Sequence, residues 1–491
     1  MPEDKVILNH IIKTDEVDYS IQEAAQALDG LRKFAEEPKG RFKSKEQAAA
    51  IVGALQGLDQ LIILPTGGGK TMAYLVPMFM EKDLTTVVIL PFVVLVEQVE
   101  QLCTSFGISV QTWRGSGYSI GATQAILVSI EHAIMPEFLD LLISLESNRR
   151  LARMVLDECH ALWTQEGFRD SVRRLVLLTR AVKVPIQLLT ATCPPSKVDK
   201  LRVNFGCEDL QVIRRIEDRK ELMYSVQYVD KDVNTLEDLN LIIENYLRRQ
   251  IQRWEAKDRG IVYCLRREWA EQLCESINRT GERICAVYHA RMESADRRKV
   301  LADWKEGRTR IVIATSALGA GMDYPWVRVV VHQGFAQQLI DFVQESGRAG
   351  RDGQPAEAIT FFWPRIEEMT AWIKEEGRKE MLEWVKLDGC RKKFLSTYLH
   401  GEGDDCISQG VGILCDNCEG VLATGRMESA DFGPTVTGRK RPRDTEVTEV
   451  EDSIKMKEML QDLSGKCSFC WMAGEQDHIE HNAWECRYKS L

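Results

Sequence analysis

The sequence predicts an α/β protein with two tandem, doubly wound parallel sheets, followed by a small helical subdomain rich in cysteine. Three observations predict this arrangement. Short apolar runs alternate with helical patterns from residue 42 to about residue 213, and the same alternation restarts after a charged join at 214–221. From about residue 365 the pattern turns helical and then gathers cysteines. Strands that are separated by helices form parallel sheets with helices on both faces.

Each element follows from the local pattern of apolar residues. An amphipathic pattern at 21–35 predicts a helix ahead of the first sheet. The predicted strands of the first sheet are 61–64, 86–90, 125–130, 153–156 and 185–190, with helices at 70–80 and 94–106. The predicted strands of the second sheet are 260–264, 284–288, 310–315, 327–332 and 356–362, with helices at 268–278 and 295–304.

These patterns divide the chain into six parts. A helical extension (1–40) precedes the first α/β domain (41–213), the second α/β domain (214–365) and the helical subdomain (366–420). A flexible linker (421–462) is predicted because its residues are polar and include a basic cluster at 439–443. The terminal segment (463–491) gathers cysteine and histidine.

Composition excludes several classes of protein. With 491 residues, 44% of them hydrophobic and 28% charged, the chain is typical of a soluble globular protein with more than one core. No apolar run approaches the roughly 20 residues that span a bilayer, and the first residues lack a signal-peptide pattern, so we expect an intracellular protein without membrane contact. The net charge of −10 argues against a coating of nucleic acid but allows a local basic groove.

A glycine-rich turn joins the first predicted strand to the helix that follows it. It reads Leu-Pro-Thr-Gly-Gly-Gly-Lys-Thr from residue 64 to residue 71. Glycines let backbone N–H groups approach a phosphate, the lysine reaches the terminal phosphates, and the threonine hydroxyl can bind Mg²⁺. The alternative is a surface turn beside a chance Gly-Lys-Thr. The predicted nucleotide-binding residues are Pro65, Thr66, Gly67, Gly68, Gly69, Lys70 and Thr71, with Thr71 also a Mg²⁺ ligand.

Two acidic residues, Asp157 and Glu158, end the apolar strand at 153–156. A carboxylate at the end of a strand beside a phosphate-binding turn is placed to bind Mg²⁺, which suits Asp157. The adjacent Glu158 is placed to orient or deprotonate an attacking water. The alternative is a strand end with solvated acids. Together with the glycine-rich turn, the two acids predict hydrolysis of a nucleotide.

Four segments in this order resemble the superfamily 2 helicases, and most closely the RecQ family. They are Gly-Gly-Gly-Lys-Thr at 67–71, Asp-Glu-Cys-His at 157–160, Thr-Ala-Thr at 190–192 and Gln-Glu-Ser-Gly-Arg-Ala-Gly-Arg-Asp-Gly at 344–353. The resemblance covers roughly residues 41–420. It implies RecA-like domains that use ATP and Mg²⁺, with single-stranded DNA and duplex junctions as partners. Protein partners are not predicted.

Further site residues follow from this resemblance. Gln47 matches the glutamine that reads adenine, and Asp323 matches the last polar position of a motif that touches both nucleotide and nucleic acid. Arg348 and Arg351 match arginines that reach the γ-phosphate from the second domain, a contact worth about 10³–10⁵ in rate. A basic surface turn is the alternative. The predicted catalytic residues are therefore Lys70, Asp157, Glu158, Arg348 and Arg351.

The chain departs from the resembled family just after residue 160. The family has a longer aromatic-rich loop there, which links DNA contact to ATP hydrolysis, and this chain reduces it to 161–169. Trp163, Phe168 and Arg169 are predicted to stack on and pair with single-stranded DNA. The alternative is that Trp163 and Phe168 belong to the core.

Two cysteine clusters predict Zn²⁺. The first ends in Cys-x-x-Cys, a spacing that suits one tetrahedral ion, and it looks like the zinc platform of the RecQ family. Its predicted ligands are Cys390, Cys406, Cys415 and Cys418. The second cluster, in the terminal segment, is knuckle-like, and free thiols are its alternative. Its predicted ligands are Cys467, Cys470, His481 and Cys486, with His478 as a rival to His481.

The leading interpretation is an ATP-dependent DNA helicase that moves 3′ to 5′, as the resembled family does, in DNA repair, recombination or telomere maintenance. One alternative is an RNA-directed superfamily 2 ATPase. Another is a zinc-dependent nucleic-acid-binding scaffold with a vestigial motor. The basic cluster at 439–443 and the implied DNA substrate predict a nuclear location. We expect no winged-helix domain between the two cysteine clusters, and the cysteine-rich tail also resembles telomere-linked fungal helicases.

Overall fold

A computed structural model describes residues 20–115, 123–164, 169–216, 219–229, 233–279, 281–319, 322, 324–370, 377–410 and 412–424. These residues belong to one compact unit of the chain. They form two parallel sheets with helices on both faces, followed by a small helical subdomain, so the predicted fold class is confirmed. No helix within these ranges combines the length and apolarity needed to cross a membrane.

The first sheet has seven parallel strands in the order β3-β4-β2-β5-β6-β1-β7. Its strands are β1 Gln60–Ile63, β2 Thr85–Leu90, β3 Val110–Thr112, β4 Ala125–Ser129, β5 Leu151–Leu156, β6 Ile186–Thr190 and β7 Gln211–Arg214. The apolar runs of β1, β2 and β4 are buried along their whole length because helices cover both faces of the sheet.

The second sheet has six parallel strands in the order β10-β11-β9-β12-β13-β8. Its strands are β8 Leu222–Tyr228, β9 Arg259–Cys264, β10 Cys285–Tyr288, β11 Ile311–Ala314, β12 Val327–Gln333 and β13 Ala356–Phe362. Every predicted strand of both sheets is present within two residues of its expected bounds. The sequence patterns do not predict the edge strands β3, β7 and β8, and Arg214, which begins the expected charged join, instead ends β7.

The helices alternate with these strands. Those before and within the first domain are α1 Ile21–Phe34, α2 Lys45–Leu55, α3 Met72–Met80, α4 Val93–Ser105, α5 Ile130–Ala133, α6 Pro136–Ser147, α7 Ala161–Thr164, α8 Arg169–Ala181 and α9 Pro195–Phe205. Those of the second domain are α10 Leu236–Ile251, α11 Arg267–Asn278, α12 Ser294–Lys305 and α13 Leu339–Ser346. After β13 come α14 Pro364–Met369, α15 Arg378–Val385, α16 Arg391–His400, α17 Cys406–Gln409 and α18 Asp416–Thr424.

The helical extension packs on the first domain through α1. The ring of Phe34 stacks on Phe106 at 4.1 Å between centroids and meets Phe79 edge to face at 5.6 Å. Ser20 caps the start of α1, since its hydroxyl accepts the N–H of Glu23 while the Glu23 carboxylate accepts the N–H of Ser20. The α1 helix therefore belongs to the core of the first domain.

The small helical subdomain covers the exposed edge of the second sheet. Asp416, at the start of α18, accepts the N–H of Val226 on the edge strand β8 (2.8 Å) and also pairs with Arg391 (2.6 Å). The Trp384 ring packs against Phe342 of α13 at 4.2 Å. The Asp416 contact satisfies an edge N–H group that would otherwise be open to pairing with another chain. The α18 helix continues to Thr424, beyond the start of the predicted linker.

Candidate active site

The glycine-rich turn runs from the end of β1 to the start of α3. The N–H of Leu64 donates to Thr190 O (3.1 Å), which anchors the turn beside the end of β6. Gly67 and Gly69 have φ of 81° and 85°, conformations that glycine adopts without steric cost. Lys70 Nζ donates to Leu64 O (3.2 Å), so the ammonium group folds back over the turn. A closed backbone turn beside a cation and a helix start is an arrangement that binds phosphate.

Gln47, on α2, is hydrogen-bonded to the backbone of this turn. Its side chain is 2% exposed, and its Nε2 donates to Gly69 O (3.2 Å). Its Oε1 accepts the N–H of Lys43 (2.7 Å), while Lys43 Nζ donates to Gly67 O (3.0 Å). A Cβ atom on Gly69 would collide with the Gln47 amide, so this position requires glycine. Gln47 thus contacts the turn itself, and its contact with adenine stays a prediction.

Asp157 and Glu158 follow β5 at the same edge of the sheet. The Asp157 N–H donates to Ile89 O (3.1 Å), and its Oδ2 accepts a hydrogen bond from the hydroxyl of Tyr74 on α3 (3.1 Å). Glu158 has a φ of 49°, which is uncommon for a residue with a side chain. The Tyr74 contact places Asp157 beside the helix that follows the glycine-rich turn, and Glu158 is the next residue. The backbone of Glu158 adopts a sparsely populated conformation.

The electrostatic surroundings give the two carboxyl groups different pKa values. Burial and the neighbouring Glu158 raise the pKa of Asp157 to about 6, although Lys70 acts to lower it. Burial also acts to raise the pKa of Glu158, but Lys70 and His160, together with Arg348 of the second domain, hold it below its ordinary value. Glu158 is therefore ionised at neutral pH, as a group that orients or deprotonates water must be.

His160 links the acidic residues to the end of β6. Its Nδ1 lies 3.2 Å from Glu158 Oε2 and 3.1 Å from Thr190 Oγ1. Thr190 Oγ1 donates to Thr192 O and accepts the N–H of Thr192, both at 3.1 Å. The sequence motifs assign no role to His160, although its place three residues after Asp157 in the acidic motif is a usable signal. Because His160 contacts both Glu158 and Thr190, the position of the Glu158 carboxylate depends on the Thr-Ala-Thr segment at 190–192.

Arg348 and Arg351 lie in the turn after α13 rather than within a helix. Arg348 is 6% exposed, and its Nη1 donates to Met322 O (3.1 Å). Arg351 Nη1 donates to the same carbonyl oxygen (3.2 Å), so the two guanidinium groups lie on one side of the turn. Because Arg348 lowers the pKa of Glu158, its charge acts across the cleft between the two domains.

Two hydrogen bonds cross the cleft from the ends of α13. Gln344 Nε2 donates to Thr192 Oγ1 (2.9 Å), next to the Thr190 hydroxyl. Gln338 Nε2 donates to Thr164 O (2.9 Å), at the end of α7. No sequence pattern singles out Gln338 or joins positions this far apart. The second domain therefore touches the first domain at two separate points near the acidic residues.

The helical subdomain also reaches this cleft. A cavity of about 100 Å³ lies between the two domains, and its lining includes Thr66 of the glycine-rich turn together with Leu399 and His400 of α16. Arg214 Nη1, at the end of β7, donates both to Cys193 O and to Leu399 O, each at 2.7 Å. Burial and the nearby Arg214 lower the pKa of His400 to about 4, so this imidazole is neutral at physiological pH. The subdomain thus contacts both α/β domains.

The four predicted ligands of the first cysteine cluster meet in the helical subdomain. They are Cys390, Cys406, Cys415 and Cys418, all buried, and their Sγ atoms lie within 4.8 Å of one another. The Cys390 Sγ lies 3.4 Å from that of Cys406 and 4.0 Å from that of Cys415. Four sulfurs at Zn–S distances of about 2.3 Å in a tetrahedron are roughly 3.8 Å apart. The donor set and its spacing therefore fit a structural Zn²⁺.

The predicted DNA-contacting residues are only partly described. Trp163 is half-buried in α7 and packs against the core of the first domain. Its indole N–H is buried and has no hydrogen-bond partner within the described part of the chain. Arg169 begins α8, but its side chain lies outside the described residues. The other predicted site residues outside the described ranges are Phe168, Asp323, Cys467, Cys470, His481 and Cys486.

Comparisons with known proteins find helicases. A DEAD/DEAH box helicase profile matches residues 44–201, and a helicase conserved C-terminal domain profile matches residues 239–353. ATP-dependent DNA helicase hus2/rqh1 of Schizosaccharomyces pombe is 31% identical over 414 residues, which cover 76% of this chain and 30% of that protein. A putative ATP-dependent DNA helicase Q1 of Caenorhabditis briggsae is 32% identical over 411 residues, or 78% and 64%. The chain spans less than two thirds of either relative.

Solved structures share the two-domain fold. The Mycobacterium smegmatis helicase Lhr, bound to single-stranded DNA and AMP-PNP, aligns with a TM-score of 0.54 at 20% identity, over 73% of this chain and 49% of that one. The DEAD-box helicase Mss116, bound to single-stranded RNA and UDP-BeF, aligns with a TM-score of 0.55 at 18% identity, over 70% and 75%. At these identities the likeness establishes the fold alone.

Proposed function

Because the chain belongs to the RecQ-like ATP-dependent DNA helicases, we propose that it couples ATP hydrolysis to movement along DNA and to separation of duplex strands. One observation carries this proposal. Thr66 of the glycine-rich turn lines the same cavity as Gln344 and Gly347 of the second domain, and the charge of Arg348, the next residue, helps to lower the pKa of Glu158. A nucleotide site shared by two domains converts hydrolysis into relative motion.

The residues of the first domain have distinct roles in this proposal. Backbone N–H groups at 67–71 bind the phosphates, and Lys70 balances the charge of the terminal phosphates. Glu158, ionised and oriented by His160, aligns the attacking water and accepts its proton. Gln47 supports the turn and reads adenine.

Mg²⁺ fits beside the glycine-rich turn. Asp157 supplies a buried carboxylate next to the ammonium group of Lys70, and the Thr71 hydroxyl does not cap the start of α3. We assign these two side chains as its ligands. When bound, the ion neutralises charge that develops on the β- and γ-phosphate oxygens.

The second domain completes the site. Arg348 and Arg351 neutralise charge on the γ-phosphate, which requires the two domains to lie close together. The Gln344 amide donates to the Thr192 hydroxyl, and the backbone of Thr192 is hydrogen-bonded to Thr190, whose hydroxyl contacts His160. The same closure therefore affects the position of His160. Opening of the cleft after hydrolysis would break these contacts. Each cycle would then advance the protein along one strand against a duplex stability of about 1.4 kcal/mol per base-pair step.

Zn²⁺ has a structural role in this proposal. Cys390, Cys406, Cys415 and Cys418 leave no open coordination position when all four bind one ion. The ion would stabilise α16 to α18, which cover the edge of the second sheet and contact the first domain through Leu399. The terminal cluster at 467–486 is proposed as a second zinc site.

DNA, rather than RNA, is proposed as the strand because both relatives are named as DNA helicases. Trp163, Phe168, Arg169 and Asp323 are proposed to contribute to the DNA and nucleotide contacts of the cleft. We further propose 3′ to 5′ movement, a nuclear location, and a role in DNA repair, recombination or telomere maintenance. These finer assignments rest on the family resemblance and on the basic cluster at 439–443.

Strand displacement tests the proposed activity directly. A labelled strand should be released from a short duplex with a 3′ single-stranded tail when ATP is present, and not from the same duplex with a 5′ tail. Lys70→Ala should abolish release because the ammonium group at the phosphates is lost. Lys82→Ala, an exposed lysine just beyond the far end of α3, should release the strand at the wild-type rate. Equal release by Lys70→Ala and the wild type would refute the proposal.

A further inference from the structure

Gln338 occupies a helix start that its side chain does not cap. It is the residue before α13, with φ of −135° and ψ of 157°, and its amide makes no capping hydrogen bond to the helix. Serine, threonine, aspartate and asparagine are the residues that usually cap such positions, and glutamine is not among them. The side chain is nevertheless 2% exposed. Its orientation therefore needs an explanation other than helix capping.

The Gln338 amide crosses the cleft to the first domain. Its Nε2 donates to Thr164 O (2.9 Å), the last residue of α7, 174 positions earlier in the chain. A buried amide donor is costly unless it is hydrogen-bonded, so the contact favours the arrangement in which the two domains approach. Opening of the cleft would break this hydrogen bond.

The α7 helix connects this contact to the acidic residues. It has four residues, and its first N–H, that of Ala161, donates to Glu158 O (3.0 Å). The N–H groups of Trp163 and Thr164 both donate to His160 O (3.1 Å each). Displacement of Thr164 therefore acts within one helical turn on both Glu158 and His160.

Gln344, near the other end of α13, is linked to the ring of His160. Gln344 donates to the Thr192 hydroxyl, and Thr192 is hydrogen-bonded to Thr190, the partner of the His160 ring. Both ends of α13 are therefore linked to His160 through first-domain residues. Gln338 is linked to its backbone carbonyl through Thr164, and Gln344 is linked to its ring through Thr192 and Thr190.

We propose that Gln338 is a positioning residue for ATP hydrolysis, whose amide holds α7 in the closed cleft so that Glu158 faces the nucleotide. The inference rests on the proposed ATPase activity. The hydrogen bond from Gln338 Nε2 ends at Thr164 O, so its effect on Glu158 passes through α7. Its effect is expected through the peptide carbonyl of Thr164.

Gln338→Ser separates this role from a structural one. Serine caps helices better than glutamine, so the variant should fold with an unchanged or higher melting temperature. Loss of the cross-cleft hydrogen bond should nevertheless lower kcat for ATP by about 3- to 10-fold while the KM changes little. Gln338→Glu, which keeps the length but replaces the donor by an oxygen, should lower kcat at least as much. Gln337→Ala, at the adjacent glutamine, is the matched control and should retain wild-type kcat.

The outcomes are distinguishable from failure of the proposed function. If the wild type hydrolyses no ATP with or without single-stranded DNA, the proposed function fails and the inference fails with it. If the wild type is active and Gln338→Ser keeps kcat within about twofold, the inference alone is overturned. It is also overturned if the kcat of Gln338→Ser falls together with its melting temperature, or if Gln337→Ala loses as much activity.

Discussion

Replacement of Arg348 by alanine is expected to lower kcat for ATP hydrolysis by about 10³- to 10⁵-fold. The guanidinium group is buried, donates to Met322 O and lowers the pKa of Glu158 from the opposite domain. Its charge can offset charge on the γ-phosphate only when both domains face the same nucleotide. Steady-state turnover at saturating ATP and single-stranded DNA measures this loss.

Two further variants make this test specific. Arg365→Ala removes an exposed arginine of the second domain that donates to Asn234, away from the cleft, and should leave kcat unchanged. Arg348→Lys keeps the positive charge but lacks the planar fork of donors, so most of the loss should remain. A kcat for Arg348→Ala within tenfold of the wild type, with an unchanged melting temperature, would mean that Arg348 does not act on the phosphate.

Replacement of Cys415 by serine is expected to remove one Zn²⁺ per chain and to unfold the helical subdomain. Structural zinc of this type contributes roughly 10–16 kcal/mol of apparent folding free energy. Cys415 is fully buried among the other three thiols, so serine leaves an incomplete donor set. Metal content of the purified chain, measured against protein concentration, gives the change in stoichiometry.

The control for this variant is a buried thiol outside the cluster. Cys207→Ser, in the first domain, should retain the full zinc content of the wild type. Cys467→Ser reports separately on the proposed second site. The assignment of Zn²⁺ to the first cluster is refuted if Cys415→Ser retains as much metal as the wild type. A loss of metal without exposure of the subdomain to proteolysis would argue against its structural role.

The central strands could be predicted because they are buried on both faces and appear as continuous apolar runs, such as Thr86 to Leu90. The edge strands could not. The β7 strand reads Gln-Val-Ile-Arg, and half of its residues are only partly buried. The β8 strand forms an edge of the second sheet, and α18 covers this edge. The contact between them, from the Val226 N–H to Asp416, joins residues 190 positions apart. Local patterns carry no information about such pairings.

Some residues of the site could be predicted from the sequence and others could not. Lys70, Asp157 and the cysteine ligands could be predicted because their residue types and spacing are typical of nucleotide and metal sites. The link from His160 to Thr190 and the contacts of Gln344 and Gln338 arise only when distant segments meet at the cleft. Gln338 gives no local signal, because a glutamine at a helix start is unremarkable until its partner is known.

The central claim is that the two domains form one ATP site and that DNA stimulates hydrolysis there. Its most direct test is to measure ATP turnover by the purified chain with no nucleic acid, with single-stranded DNA and with RNA. We predict slow turnover alone, strong stimulation by single-stranded DNA, weak stimulation by RNA, and none of it in Lys70→Ala. Turnover that no strand stimulates, or that persists in Lys70→Ala, would contradict the claim.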